Sequence, residues 1–321
     1  MQTGLSRMRR AAALVAALAL TSIASADQFI VNMLGANEIP PADPNGTCIG
    51  VVNIDTGTNT ISWDLAYTNL APLTTMHIHT GAAGVSGPVL FDMGIATTGG
   101  AGTLIQSKPA PPATIAQILA DPAGFYVNLH TSEFPAGAVR GQLIAAPDTQ
   151  LVATLTGANE VPPSGSAGTA SATFTFDAGA KTIGWNVTYT GLSATVTASH
   201  IHTGVAGQNG GVLINIGTAP GAGTIAGSAP TTGPNIARIL LNPSGFYYNI
   251  HTSNFPGGEI RGQLEPAPTC TSDLDGNGAV DGADLGILLG NWGGTDVGDF
   301  DNSGTVDGAD LGTLLGSWGD C

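Results

Sequence analysis

A unit of about 122 residues occurs twice in this chain of 321, and the match runs from one end of the unit to the other. Gly35-Ala-Asn-Glu-Ile-Pro-Pro41 returns as Gly157-Ala-Asn-Glu-Val-Pro-Pro163. Thr60-Ile-Ser-Trp-Asp-Leu-Ala-Tyr67 returns as Thr182-Ile-Gly-Trp-Asn-Val-Thr-Tyr189, and Gly137-Ala-Val-Arg-Gly-Gln-Leu143 as Gly258-Glu-Ile-Arg-Gly-Gln-Leu264. A repeat this long is a duplicated domain, not a solenoid turn. Each copy is large enough to bury its own core.

Inside a unit the apolar residues alternate with polar ones. Ala170–Phe176, Ile183–Tyr189 and Val212–Ile216 have the period of two that marks strands, with Gly, Asn, Asp or Pro between them. One short helix per unit is predicted, near Ala113–Leu119 and Asn235–Leu241, each closed by an Asp-Pro or Asn-Pro step. The expected fold class is mainly β: two antiparallel sandwich or barrel domains over 27–147 and 148–267, then a small helical module over 271–321.

Arg7, Arg9 and Arg10 precede an apolar run, Ala11–Leu20, and Ala24-Ser25-Ala26 stands just before Asp27. This reads as a signal peptide over 1–26, which implies a secreted, extracellular or periplasmic protein. No later apolar run reaches membrane-spanning length, so no membrane span is expected. Beyond the leader the basic residues are Lys108, Arg140, Lys181, Arg238 and Arg261 against 23 acidic ones, a net charge of about −18. Such a surface repels phosphate backbones, which excludes nucleic acid as a partner, and attracts cations.

All six histidines belong to the duplicated motifs. His77-Ile-His79-Thr-Gly is followed by Tyr126-Val-Asn-Leu-His130-Thr, and His200-Ile-His202-Thr-Gly by Tyr247-Tyr-Asn-Ile-His251-Thr. On a strand, residues two apart point to the same face, so each His-x-His pair is a chelating pair. With the third histidine on a neighbouring strand, each unit has a three-imidazole site suited to copper or zinc, open at a fourth position. Arg140 and Arg261 lie on the strand after the third histidine. Their expected role is either to attract a small anion to the open position or to bridge strands through a carboxylate such as Glu38 or Glu160.

After residue 268 the composition turns acidic. Asp273, Asp275, Asn277, Asp281 and Asp284, then Asp299, Asp301, Ser303, Asp307 and Asp310, occupy positions 1, 3, 5, 9 and 12 of two loops with Gly at position 6. That is the spacing of an EF-hand calcium loop, with Asp in place of the usual Glu at position 12. Cys270 and Cys321 flank the module, either as a bridge or as two separate thiols. Cys48 has no counterpart in the second unit and is expected to be buried.

The ordered set Gly-Ala-Asn-Glu-Val-Pro-Pro, His-Ile-His-Thr-Gly, Tyr-x-Asn-x-His-Thr and Gly-Glu-Ile-Arg-Gly-Gln-Leu resembles the CHRD domain, a chordin-type module. The duplicated acidic loops resemble a dockerin type I module, which implies calcium and a cohesin-like protein or cell-surface component as partner. The His-x-His strand with a late arginine is similar in site to Cu,Zn superoxide dismutase, although the dismutase's zinc loop and bridging-histidine pattern are not found in this chain. Copper at the histidines would then imply superoxide dismutation with Arg140 or Arg261 near the anion. The competing expectation is a non-enzymatic extracellular adhesion or matrix protein. Hydrolysis at zinc ranks last, because the nearby Glu133 is Asn254 in the other unit.

Overall fold

The computed structural model describes residues 27–94, 99–146, 149–218, 223–267, 270–275, 279–295 and 297–320. The predicted leader, Asn277 and Cys321 lie outside the described residues.

Unit 1 runs β1 (Asp27–Leu34), β2 (Thr47–Asp55), β3 (Thr60–Leu70), β4 (Leu73–Thr80), β5 (Val89–Asp92), β6 (Gly100–Pro109), α1 (Pro112–Ala120), β7 (Phe125–Thr131), β8 (Val139–Gln142) and β9 (Ile144–Ala145). Unit 2 repeats the series as β10 (Thr149–Thr156), β11 (Thr169–Asp177), β12 (Thr182–Thr190), β13 (Val196–Thr203), β14 (Val212–Asn215), β15 (Thr224–Pro230), α2 (Gly233–Leu241), β16 (Phe246–Thr252), β17 (Ile260–Gln263) and β18 (Glu265–Pro266). Each unit is one curled antiparallel sheet, in the order β5-β4-β7-β8-β1-β2-β3-β6 with β9 beside β1, and the matching order in unit 2.

β1 joins the two halves of the sheet. Its whole length pairs with β2, while Leu34 at its end pairs with Arg140 of β8. The core fills the curl: Val52, Ile54, Ile61, Trp63 and Leu65 from one half, Met76, Ile78, Val127, Leu129 and Val139 from the other. Each such side chain contributes about 1.5–3 kcal/mol when fully buried, which is what holds the curl against chain entropy. Because strand side chains alternate, burying Met76 and Ile78 sends His77 and His79 to the outer face of the same strand.

Both predicted helices form. Proline in the first turn suits them, and each stops at the residue before a proline, Asp121 or Asn242. The Thr232 hydroxyl caps α2 by accepting from the Asn235 N–H at 3.3 Å.

α2 also packs on β2 and β3 of unit 1, where Val51, Ala178 and Ile236 form a small buried cluster. The Gly233 N–H donates to Asp64 Oδ2 at 2.9 Å, and Lys181 Nζ lies 3.7 Å from the same oxygen. A Cβ on Gly233 would stand 2.6 Å from Val51 Cγ2 and 2.8 Å from the Asp64 carbonyl oxygen. Only glycine allows this close approach.

The C-terminal segment holds β19 (Ala279–Val280), α3 (Gly282–Gly290), α4 (Gly308–Gly316) and β20 (Gly319–Asp320). Val280, Leu288, Val306 and Leu314 form its core. Cys270 is disulfide-bonded, whereas Cys48 is a free thiol inside unit 1, its pKa pushed up by burial. No described helix is long and apolar enough to cross a membrane.

Candidate metal centre

The motif histidines converge on the outer face of the β5-β4-β7-β8 half-sheet. β4 supplies His77 and His79 and β7 supplies His130, with His77 directly opposite Asn128 and His79 opposite Tyr126. In each unit, one nitrogen from each of the three histidines lies within 4.8 Å of the other two. His77 Nδ1 is 3.2 Å from His130 Nε2, and His200 Nδ1 is 3.1 Å from His251 Nε2. Metal–nitrogen bonds of about 2.0 Å in a tetrahedral site place their nitrogens about 3.3 Å apart, so the spacing of these pairs fits.

Backbone carbonyls set two of the three tautomers. His79 Nδ1 faces the Gly87 oxygen at 3.0 Å and His130 Nδ1 faces the Pro135 oxygen at 3.1 Å. His202 and His251 repeat this with Gly210 and Pro256 at 3.1 and 3.0 Å. A nitrogen that faces a carbonyl carries the proton, so the lone pair of each ring is on Nε2. The Nε2 atoms of His79 and His202 are buried without a hydrogen-bond partner, on residues only 8 % exposed. An acceptor left this way lacks one interaction that a cation would supply.

Burial is the main cause that lowers the pKa of His77, His130, His200, His202 and His251. Neighbouring imidazoles act in the same direction at His77, His130, His200 and His202, while the carbonyls oppose the shift at His130, His202 and His251. Neutral rings are the form that binds a metal.

A stack of three groups backs each site. The Tyr126 ring lies on His79 at 5.0 Å and 11°, and the Arg140 guanidinium lies 4.4 Å from the Tyr126 ring centre. Tyr247 stacks on His202 at 4.9 Å and 7°, with Arg261 again at 4.4 Å from the ring centre. The Tyr126 hydroxyl accepts from the Gly87 N–H at 3.3 Å, fixing the peptide whose carbonyl orients His79. Gly81, at φ +139°, lets the loop turn over this ring, since a Cβ there would meet the Val85 oxygen at 2.7 Å.

Arg140 and Arg261 are buried, at 2 % and 1 % exposure. Arg140 donates from Nε to the Asn37 oxygen at 2.6 Å and from Nη1 to the Val85 oxygen at 3.2 Å; Arg261 does so to Asn159 and Gln208 at 2.7 and 3.1 Å. Each guanidinium thus ties the loop after β1 or β10 to the loop after the His-x-His strand. Glu38 and Glu160 lie nearby, bonded by Asn128 and Asn249 at 3.4 and 2.7 Å. Burial pushes both carboxyls up to about 7 against the pull of the arginines and asparagines.

In the C-terminal module Asp273, Asp275 and Asp284 converge, as do Asp299, Asp301 and Asp310. Asp281 and Asp307 are the N-caps of α3 and α4, each in a capping box with Asp284 or Asp310. The Ser303 hydroxyl donates to the Thr305 oxygen at 3.2 Å.

Several site residues escaped the sequence reading: Tyr126 and Tyr247, the glycine carbonyls, and Thr75 and Asp92 beside His77. The tyrosines had a signal. In Tyr-x-Asn-x-His the three named residues alternate on a strand, so they share the histidine's face.

A duplicated, curled antiparallel sheet with three imidazoles on its outer face defines a class of paired β-domains with a candidate metal centre in each. The CHRD domain profile matches residues 29–143 and 151–264, and the chain belongs to the CHRD family. A search of curated proteins finds no significant match.

Proposed function

We propose that this is an exported tandem CHRD protein that binds one transition-metal ion, copper or zinc, in each unit. The observation that carries this reading is the buried, unpartnered Nε2 of His79 and of His202, each facing two further imidazole nitrogens. Bound copper would supply one-electron redox chemistry, as superoxide dismutation requires, and bound zinc a Lewis acid. The protein's part is to hold three neutral imidazoles with their lone pairs inward and to keep one edge open at His77, whose side chain is 18 % exposed. Arg140 and Arg261 serve as positioning residues, because the tyrosine ring separates them from His79 and His202. Local attraction of an anion then falls to the metal charge itself.

The acidic loops support calcium binding in a dockerin-like module. Its two halves expose Leu289 with Trp292 and Leu315 with Trp318, each about half exposed, as a face for a cohesin-like partner. That surface favours a second reading, an extracellular binding protein whose metal is structural.

Metal content of the purified protein tests the proposal beside a His79→Ala/His202→Ala variant. Two equivalents of copper or zinc, lost in the variant while calcium stays, is the expected result. Calcium alone in both proteins would contradict it.

A further inference from the structure

The two histidine sites have the same inner geometry but different support at their most exposed ligand. In unit 1, Thr75 Oγ1 lies 3.0 Å from His77 Nε2 and Asp92 Oδ1 lies 4.0 Å from it. Lys108 holds Asp92 in place, donating to its carboxylate at 3.2 Å and to its backbone oxygen at 2.7 Å. The strand registers put Ala198 at the place of Thr75, Asn215 at that of Asp92 and Ala229 at that of Lys108. Among the described residues, His200 Nε2 has no protein hydrogen-bond partner in unit 2.

This matters because of what the ring must do to become a ligand. Without metal, His130 Nε2 is an acceptor, so His77 Nδ1 carries the proton between them and His77 Nε2 accepts from the Thr75 hydroxyl. Coordination through Nδ1 requires the proton on Nε2 instead. The Thr75 hydroxyl can rotate from donor to acceptor, and the Asp92 carboxylate only accepts. The carboxylate therefore favours the ligating tautomer and adds negative charge near a cation, and the Thr75 hydroxyl stays bonded to Nε2 by turning to accept from it. In unit 2 the same proton is left to solvent. Partners that orient a ligating imidazole are typically worth 10- to 100-fold in metal affinity.

Resting on the proposed metal-binding reading, we infer that the centres are unequal: Thr75 and Asp92 are positioning residues that make unit 1 the high-affinity site, filled before unit 2. The two units would then load at different free-metal levels within one chain.

The test is a competition titration of the full chain with zinc against a chromophoric chelator, with His79→Ala and His202→Ala variants assigning the steps. Two steps separated by about 10- to 100-fold are expected, the tighter one lost in His79→Ala. Thr75→Ala/Asp92→Asn should collapse the two steps into one weak step. The reverse exchange, Ala198→Thr/Asn215→Asp, should tighten the second, which guards against a variant of unit 1 that merely folds badly. Equal affinities in the unaltered chain, or steps that exchange leaves within twofold, overturn the inference while metal binding stands. Absence of zinc binding at both sites overturns the inference and the metal-binding reading together.

Discussion

Unit 1 and unit 2 hold their histidines almost identically, with ring centres 5.0, 5.5 and 5.8 Å apart in one and 5.0, 5.4 and 6.0 Å in the other. Around that common centre they diverge. Thr75 and Asp92 support unit 1, and Ala198 and Asn215 replace them in unit 2. Ala138 of unit 1 is matched by Glu259, a buried carboxylate that accepts from Ser166, Ser193 and Thr252. α2 docks on the neighbouring unit through Gly233, whereas α1 has Pro112 at that position, exposed to solvent. The duplicated motifs therefore maintain the three histidines and the Tyr–Arg stack behind them. Residues one step outward differ between the copies.

The largest effects should come from what the units share. Arg140→Ala or Arg261→Ala leaves two loop carbonyls without their donor and a buried carboxyl without its neighbouring cation. Each should lower unfolding stability by about 3–5 kcal/mol in denaturant titrations. A cost below about 1 kcal/mol in one unit only would break the equivalence of the two stacks.

Glu259→Ala should cost less, about 2 kcal/mol, since it strands three hydroxyl donors around a carboxylate that unit 1 replaces with Ala138. Its carboxyl is held below the usual range because these hydrogen bonds outweigh its desolvation. This contribution is thus present above the unfolded pKa and lost as pH falls through the folded one. A thermal melt at neutral pH unchanged by the substitution would remove this difference between the copies.

Gly233→Ala forces the α2 docking apart and should cost about 1–2 kcal/mol, splitting a shared calorimetric transition into two. Pro112→Ala, at the matching exposed place, should stay within about 0.5 kcal/mol.

A further effect, spread over a pH window, belongs to both units. Glu38 and Glu160 titrate near 7 when folded and near 4.5 when unfolded, so the folded chain holds protons that the unfolded chain releases. Their stabilisation is complete below pH 4.5, declines as pH rises through 7 and is flat beyond. The slope in that window is at most about 1.4 kcal/mol per pH unit for each carboxyl, reduced by solvent screening, and Glu38→Gln should halve the summed slope.

Much of this was legible in the chain. The duplication, the period-two strands and the helices ending before Pro122 and Pro243 all follow from local rules. The His-x-His pairs announced a shared face because strand alternation leaves no other arrangement. What stayed hidden depends on tertiary approach. That Arg140 sits behind Tyr126 and not at the open edge is decided by the curl joining β1 to β8, which no spacing reveals. Gly233 looks like a weak helix residue until Val51 of the other unit is seen against it. Asp281 fits a loop-ligand pattern, and the fold also makes it the N-cap of α3.

Three imidazoles per unit stand close enough to bind one transition-metal ion. Anomalous diffraction from crystals grown with zinc tests that binding directly. One peak is expected in contact with His77 Nδ1, His79 Nε2 and His130 Nε2, and a second among His200, His202 and His251. No zinc peak at either histidine site, with the His77–His130 and His200–His251 hydrogen bonds intact, would contradict it.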